Sequence, residues 1–257
     1  PTYAVARAAK KEITVALTGD GGDEGFFGYR AFRGVAFAQH YRSLVPSAVR
    51  PSIAALVRAF AKHRALKGLS SILDYGAAPL HEGFRYQQGF DPTGRAEILM
   101  PDWRTGSTLA EDVYRTRLAR WRNLGDPEGL RRTWIETSLP NDYLVKVDTA
   151  TMATSLEARC PFLDIDLMDF LLRIPSSLAF PAYRQKALLR QLARGLLPRP
   201  ILRRRKTGFT VPVDAWFRGP LLPAFETIVL SSTGPLAGVI HNRRARALLE
   251  SHRAGES

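Results

Sequence analysis

The chain has 257 residues, of which 45% are hydrophobic and 10% aromatic, and this composition excludes disorder over the whole chain and predicts one or two domains. Its formal net charge of +13 favours anionic ligands such as nucleotides, although scattered arginines are also typical of a solvated surface. Apolar stretches such as Leu167–Leu172 are far shorter than the ~20 residues that span a bilayer, so we expect no membrane partner. The single cysteine, Cys160, excludes an internal disulfide and fits a cytoplasmic protein.

The first predicted elements are a helix end over 2–11 and a short strand over 13–17. The strand is a β-branched, apolar run, and we expect it to be buried. The glycine-rich segment Thr18–Gly25, which we call the acidic loop, follows at once, an order typical of a ligand site at the carboxyl end of a strand. Because one strand cannot form a sheet, either it pairs with something outside the chain or further strands lack a recognisable pattern.

The remainder of the chain is predicted to be helical. Ser52 and Asp164 are candidate N-caps of two helices, and Gly195 ends another. Residues 62–107 are irregular in pattern, and 231–257 become polar at both ends. Apolar residues recur at helical spacing in four segments, which are 53–60, 109–121, 167–172 and 187–192.

Glycines of the acidic loop lie beside the carboxylates of Asp20, Asp23 and Glu24. Glycines let the backbone approach a ligand closely, and carboxylates suit Mg²⁺, which prefers oxygen ligands and often bridges to phosphates. The pattern is neither a dinucleotide fingerprint nor a Walker A motif nor an EF-hand. Taken alone, it is equally typical of a plain acidic turn after a strand.

Three further segments carry candidate chemistry. In LPNDYLVKVD, Tyr143 and Val147 share one helical face. Lys146 and Asp148 therefore point elsewhere, as residues of a solvated face do, and the EAR that follows is typical of a surface pair. Lys186 in YRQK opens a helix, where a cation opposes the helix dipole and calls for an anion such as a phosphate. The basic segment RRRKTGF, taken alone, is typical of a phosphate or nucleic-acid patch.

Four segments together resemble one protein family: LTGDGGDEGFFGY, LPNDYLVKVDTATMATSLEARCPFLD, YRQKALLRQL and ILRRRKTGFTVPVDAWFRGPL. In this order, over about Pro1–Leu221, they resemble the synthetase half of glutamine-hydrolysing asparagine synthetases. The resemblance implies an α/β fold of the adenine nucleotide alpha-hydrolase-like class with a parallel sheet, of which this chain would form a mostly helical part with one short strand. It also implies that ATP activates the aspartate side-chain carboxylate as an acyl-adenylate, that pyrophosphate leaves, and that ammonia from a glutaminase domain displaces AMP.

The resemblance implies roles for particular residues. Asp20 occupies an acidic position linked to forming or attacking the adenylate, and Lys186 lies where relatives place a lysine near the α-phosphate and the departing pyrophosphate. Positive charge there would stabilise the negative charge that develops at phosphorus. Asp148 and Arg159 would orient the site. The ATP contacts would be Thr18, Gly19 and Gly21, and the Mg²⁺ ligand would be Asp23.

Two departures from the family pattern stand out. Phe27 occupies a position where relatives have glycine. The nucleotide loop S-G-G-x-D-S and the glutaminase domain with its cysteine nucleophile occur nowhere in the sequence, and Cys160 lies in mid-chain. We therefore predict that 1–257 is the C-terminal portion of one asparagine-synthetase-type domain, that sheet partners of the strand lie upstream of Pro1, and that the isolated chain is inactive.

Other interpretations stay open. Enzymes that amidate a sugar or peptide carboxylate carry the same motifs, and a non-catalytic remnant would retain them. A basic nucleic-acid-binding protein is the alternative from a different class. The sequence lacks a recognition motif and aromatic residues interleaved with its basic run, so we expect no specific nucleic-acid partner. A homo-oligomer is compatible with the full-length protein.

Overall fold

The computed structural model describes residues 1–60, 73, 76–77, 80, 92–104, 109–204 and 211–255. Much of the segment predicted to be irregular, 62–107, and the residues of RRRKTGF from Arg205 onward lie outside the described residues. The chain divides into two compact units. Unit 1 comprises Pro1–Phe84 and Tyr114–Thr207, and unit 2 comprises Arg85–Val113 and Gly208–Ser257.

Helices dominate the described residues. The α-helices in chain order are α1 Thr2–Ala9, α2 Gly22–Gly25, α3 Arg30–Leu44, α4 Arg50–Phe60, α5 Pro92–Ile98, α6 Leu109–Arg120, α7 Asp126–Glu136, α8 Val145–Met152, α9 Ile165–Arg173, α10 Ser176–Ala179, α11 Ala187–Leu192, α12 Arg199–Arg203, α13 Val213–Arg218, α14 Leu222–Phe225 and α15 Asn242–Ala254. Short 3₁₀ helices are Ser47–Val49, Pro101–Trp103, Arg122–Leu124, Pro161–Leu163 and Pro181–Tyr183, and π-helical turns are Leu139–Leu144 and Glu226–Leu230. Within the described ranges, every helix is too short or too polar to cross a bilayer.

The predicted strand is present as β1, Val15–Leu17, and it has a partner within the chain. It pairs in parallel with β2, Glu157–Arg159, and Ala16 lies opposite Ala158. The sequence prediction missed β2 because a three-residue strand with charged residues at both ends shows no apolar alternation. The expectation that β1 is buried is wrong, since the side chain of Leu17 is 73% exposed.

The four apolar stripes predicted to be helical lie in α4, α6, α9 and α11. Asp164 caps α9 as predicted, because its carboxylate accepts a hydrogen bond from the backbone N–H of Leu167 at 3.0 Å. Ser52 is not an N-cap, because α4 already begins at Arg50, directly after a 3₁₀ turn. Gly195 has a φ of +86°, which lets the chain turn sharply after α11.

The core of unit 1 lies around α3 and α7 and includes Phe27, which follows the acidic loop closely in the chain. Burying a large apolar side chain stabilises a protein by about 1.5–3 kcal/mol, so these residues anchor the end of the loop. The buried core residues are Phe27, Phe32, Val35, Ala36, Leu80, Leu118, Leu130, Ala179 and Phe180.

Unit 2 has a small core of its own. Leu230, Ala245 and Leu249 form its buried centre, and the last two belong to α15. An antiparallel bridge joins Leu99 to Ile240 and brings the end of α5 to the start of α15.

Candidate functional site

The acidic loop is fastened to the second strand of the sheet. The backbone N–H of Thr18 donates to the carbonyl of Arg159 at 2.8 Å, and Thr18 Oγ1 lies 3.2 Å from Cys160 Sγ. Gly19 is exposed and Asp20 is half-buried. The parallel strand pair therefore presents one side of the loop to solvent at the carboxyl end of β1, where open α/β sheets bind their ligands.

Two glycines of the acidic loop serve different purposes. Gly21 has a φ of +84°, and a Cβ there would lie 2.1 Å from Leu163 Cδ2, so backbone conformation and packing both favour glycine. A Cβ on Gly19 would meet none of the described atoms within 4 Å. Packing against the rest of the protein therefore does not explain why residue 19 is a glycine. Open space beside a glycine backbone is what the close approach of a ligand requires.

Lys186 lies against the acidic loop. Its Nζ is 2.8 Å from Asp23 Oδ1, and the two side chains are 29% and 21% exposed. The backbone N–H of Lys186 donates to the carbonyl of Phe26 at 2.9 Å, and Gln185 Nε2 donates to the carbonyl of Gly28 at 2.6 Å. The φ of Lys186 is +52°, a left-handed conformation that non-glycine residues rarely adopt and that clusters at functional sites. The anion that the position of this lysine calls for is here the Asp23 carboxylate.

Gly28 makes room for this ion pair. A Cβ on Gly28 would lie 1.8 Å from Asp23 Oδ1 and 2.6 Å from Lys186 Cε. Both distances are far inside van der Waals contact, so the pair can have its observed geometry only if residue 28 has no side chain.

The third carboxylate of the acidic loop, Glu24, is buried and only 2% exposed. The hydroxyl of Tyr29 donates to Glu24 Oε1 at 2.8 Å, and the ring of Tyr29 stacks on that of Tyr143 with 6.1 Å between centroids. Burial, with the charge of Glu24, raises the pKa of Tyr29 far above its ordinary value, and burial also raises the pKa of Tyr143. Both phenols therefore keep their protons at neutral pH.

Phe27 has a φ of +53° at the position where the family pattern has glycine. Its buried ring stacks on Phe180 at a centroid distance of 4.8 Å, and the guanidinium of Arg131 lies over the ring at 4.5 Å from its centroid. Arg131 is fully buried and donates to the carbonyl of Gly25 at 3.2 Å and to Glu128 at 2.7 Å. Its burial lowers the pKa of the guanidinium. These contacts hold the strained backbone that leads into Gly28.

Other residues named from the sequence motifs differ in their exposure and contacts. Tyr143 is half-buried while Lys146 and Asp148 are exposed, as the helical spacing predicts. Arg159 binds the acidic loop through its backbone carbonyl, and its guanidinium pairs with Glu157 at 2.7 Å on the surface. Of the two residues expected to orient the site, Arg159 thus contacts the loop through its backbone.

The two aspartates of the acidic loop are the candidate metal ligands of this site. In the described part of the chain, no three or more His, Cys, Asp or Glu side chains form a group that could hold a metal ion. Asp20 and Asp23 are hard oxygen donors three residues apart, and Mg²⁺ commonly takes one or two carboxylates while substrate phosphates complete its shell. The donors therefore fit Mg²⁺ that arrives with a nucleotide.

Sequence reasoning did not identify Gly28 or Arg131 as parts of this site. Gly28 carried a usable signal, because a glycine beside a loop of carboxylates indicates close approach of other groups. Arg131 carried none, because its contact with Gly25 joins residues 106 positions apart.

The chain belongs to the asparagine synthase family, whose family model matches residues 1–257. Membership implies the adenine nucleotide alpha-hydrolase-like fold, and the parallel strand pair within a largely helical chain agrees with it. The predicted family and fold class are confirmed.

Its relatives carry two kinds of name. Asparagine synthetase (glutamine-hydrolyzing) 1 of Bacillus subtilis strain 168 is 31% identical over 257 residues, which are 100% of this chain and 40% of the relative. Asparagine synthetase (glutamine-hydrolyzing) 3 of the same strain is 28% identical over 148 residues, or 52% of this chain and 23% of the relative. Amidase chry2 of Gibberella zeae is 23% identical over 238 residues, which are 84% of this chain and 35% of the relative. The chain spans about two-fifths of the first relative's length. No solved structure shows a significant match.

Proposed function

We propose that the acidic loop and Lys186 form the phosphate-facing part of an ATP site in a ligase that converts a carboxylate into an amide. The observation that carries this proposal is the Asp23–Lys186 ion pair at the carboxyl end of a parallel strand. The names of the two Bacillus subtilis relatives support aspartate as the carboxylate and glutamine as the source of ammonia.

In the proposed reaction, a side-chain carboxylate oxygen of aspartate attacks the α-phosphorus of ATP. The bond from that phosphorus to the bridging oxygen breaks, and pyrophosphate leaves with the electron pair. Ammonia then attacks the acyl carbon of the adenylate, loses a proton and displaces AMP. Negative charge increases on the phosphate oxygens in the first step, and a fixed ammonium group stabilises it.

Lys186 is the proposed source of that ammonium group. Its side chain is held by Asp23 and its backbone by the carbonyl of Phe26, so it needs little reorganisation when phosphate arrives. Asp20, half-buried beside the open backbone of Gly19, is proposed to act where the adenylate forms or is attacked.

Three residues of the acidic loop are proposed to contact ATP. Gly19 has the strongest support, because its backbone is exposed and has open space beside it. Thr18 would contribute its hydroxyl, which lies beside Cys160, and Gly21, which has no side chain, would contribute backbone groups. Mg²⁺ bound with ATP would neutralise phosphate charge, and Asp23 is its proposed ligand, with Asp20 as the neighbouring carboxylate.

These residues form part of a phosphate site. The 257 residues contain no S-G-G-x-D-S sequence, so we propose that a second phosphate-binding loop completes the site in the working ligase. In this proposal the chain is one portion of an asparagine-synthetase-type domain.

The test is the Lys186→Ala variant of the complete ligase, assayed with aspartate and with ammonia as the nitrogen source. We expect kcat to fall about 10²–10³-fold with a much smaller rise in KM for ATP, because the lysine acts mainly in the transition state. Lys186→Arg should rescue poorly, since a planar guanidinium does not replace a compact ammonium. Lys11→Ala, which removes an exposed lysine, is the matched control.

Near-normal kcat in Lys186→Ala would remove this lysine from the mechanism. Pyrophosphate exchange driven by a sugar or peptide carboxylate, and not by aspartate, would leave the ligase chemistry intact and change its substrate. DNA binding that falls steeply with salt, in a protein without pyrophosphate exchange, would favour the nucleic-acid alternative instead.

A further inference from the structure

Exposed aliphatic side chains and arginines share one surface of unit 1. We define the α11–α12 surface as Ala187–Arg204, which comprises α11, α12 and the turn between them. Leu196 is 81% exposed and Leu192 is 70% exposed, and Leu197 and Ile201 are also about half exposed, at 47% and 53%. Four large aliphatic residues are thus exposed within ten consecutive residues, and apolar exposure concentrated in this way is typical of an interaction site.

The same surface is strongly basic. Between Phe170 and Val213 the sequence contains ten Lys and Arg residues and no Asp or Glu. Five of these ten cations belong to the α11–α12 surface. They are Arg190, Arg194, Arg199, Arg203 and Arg204. A neighbouring polypeptide that supplies carboxylates would therefore gain favourable charge interactions along this whole segment.

Internal hydrogen bonds fix the shape of the α11–α12 surface. The guanidinium of Arg190 donates to the carbonyl of Leu202 and, at 3.2 Å, to the carbonyl of Arg204. The backbone N–H of Leu197 donates to the carbonyl of Ala193 at 3.0 Å. The two short helices are thus held together. A partner would bind a preformed surface, so binding would not carry the entropy cost of ordering this segment.

We propose that the α11–α12 surface binds an acidic polypeptide that contributes aliphatic side chains to the leucine patch and carboxylates to the surrounding arginines. A second copy of this chain does not fit, because an isologous contact would set the same arginines against one another. A nucleic acid would satisfy the arginines but leave the aliphatic patch unused. An anionic membrane would need a continuous amphipathic helix, and here Gly195 and Pro198 divide the segment into helices of six and five residues.

The position of this surface relates it to the candidate site. α11 begins one residue after Lys186, so a partner bound to α11 is held next to the residue proposed to contact phosphate. Binding at this surface requires only its exposed leucines and its arginines, whether or not Lys186 is catalytic.

The test uses a labelled synthetic helical peptide with leucines at i, i+3, i+4 and i+7 and glutamates elsewhere, followed by fluorescence anisotropy. We expect binding that weakens with salt, and that weakens about tenfold or more in Leu196→Ser and in Arg194→Glu. Both residues are exposed, so both variants should fold, which circular dichroism verifies. Ile165→Ser, at an 83% exposed residue of α9, and Arg122→Glu are matched controls and should bind like the unaltered chain.

Peptides with serine in place of leucine, or lysine in place of glutamate, should bind at least tenfold more weakly. The proposal is overturned if the acidic leucine peptide does not bind, or if Leu196→Ser binds it unchanged. It is also overturned if oligothymidylate or phosphatidylserine vesicles bind as tightly as the peptide, or if sedimentation shows a dimer that Leu196→Ser dissociates.

Discussion

Replacing Gly28 with alanine tests whether the geometry of the candidate site rests on one missing side chain. The new Cβ would lie 1.8 Å from Asp23 Oδ1, whereas real Cβ contacts are essentially never shorter than 3.0 Å. The carboxylate must therefore move by at least about 1.2 Å, which changes its contact with Lys186, now at 2.8 Å. The Lys186 side chain must also move, because its Cε would be 2.6 Å from the added methyl group.

We expect Gly28→Ala to lower the free energy of unfolding by about 1–3 kcal/mol, the usual cost of an added methyl group in a packed site. The ion pair itself contributes no more than about 1 kcal/mol of this, because both partners are partly solvated. Urea denaturation measures the change, and the m-value should stay constant because the surface exposed on unfolding is the same.

A second measurement reports on Lys186 itself. Acylation by acetic anhydride, followed by mass spectrometry, should modify Lys186 about fivefold faster in Gly28→Ala, which corresponds to the loss of ~1 kcal/mol of pairing. Exposed Lys11 in the same sample is the internal reference. Gly19→Ala is the matched control, since its Cβ meets open space, and its stability should be unchanged or up to ~1 kcal/mol higher. Unaltered stability together with unaltered Lys186 acylation in Gly28→Ala would refute the reasoning.

Three further outcomes are expected. Phe27→Gly should relieve a strained φ but remove a buried ring, for a net loss of about 2–4 kcal/mol in urea denaturation, and increased stability would contradict this. Asp164→Ala should lose the α9 cap and about 1 kcal/mol, whereas Asp164→Asn should not. Burial raises the pKa of Tyr29 and Tyr143, so the unfolded chain loses these two protons at a lower pH than the folded chain, and the free energy of unfolding should fall above about pH 10. Tyrosinate absorbance of the folded protein should show two phenols that titrate later than the others. Tyr143→Phe should reduce the fall in stability above this pH.

Local patterns in the sequence were sufficient to predict much of this protein. Helical spacing of apolar residues predicted four of the helices, and the Asp164 cap followed from one side chain placed before its helix. Such features depend on residues within about two turns of each other, so no knowledge of the fold is required. The order of four motifs also led to the correct family, because their conjunction is far more specific than any one of them.

Contacts between distant residues were decided only by the tertiary structure. β2 becomes a strand because β1 lies beside it, not because its own three residues favour a strand. Lys186 faces Asp23 because hydrogen bonds from residues 185 and 186 to the segment after the acidic loop bring the two parts of the chain together. Arg131 reaches that segment from 106 positions away, and no local spacing records such a contact. Sequence motifs thus indicated which side chains are candidates for the chemistry, while long-range packing determined which of them meet.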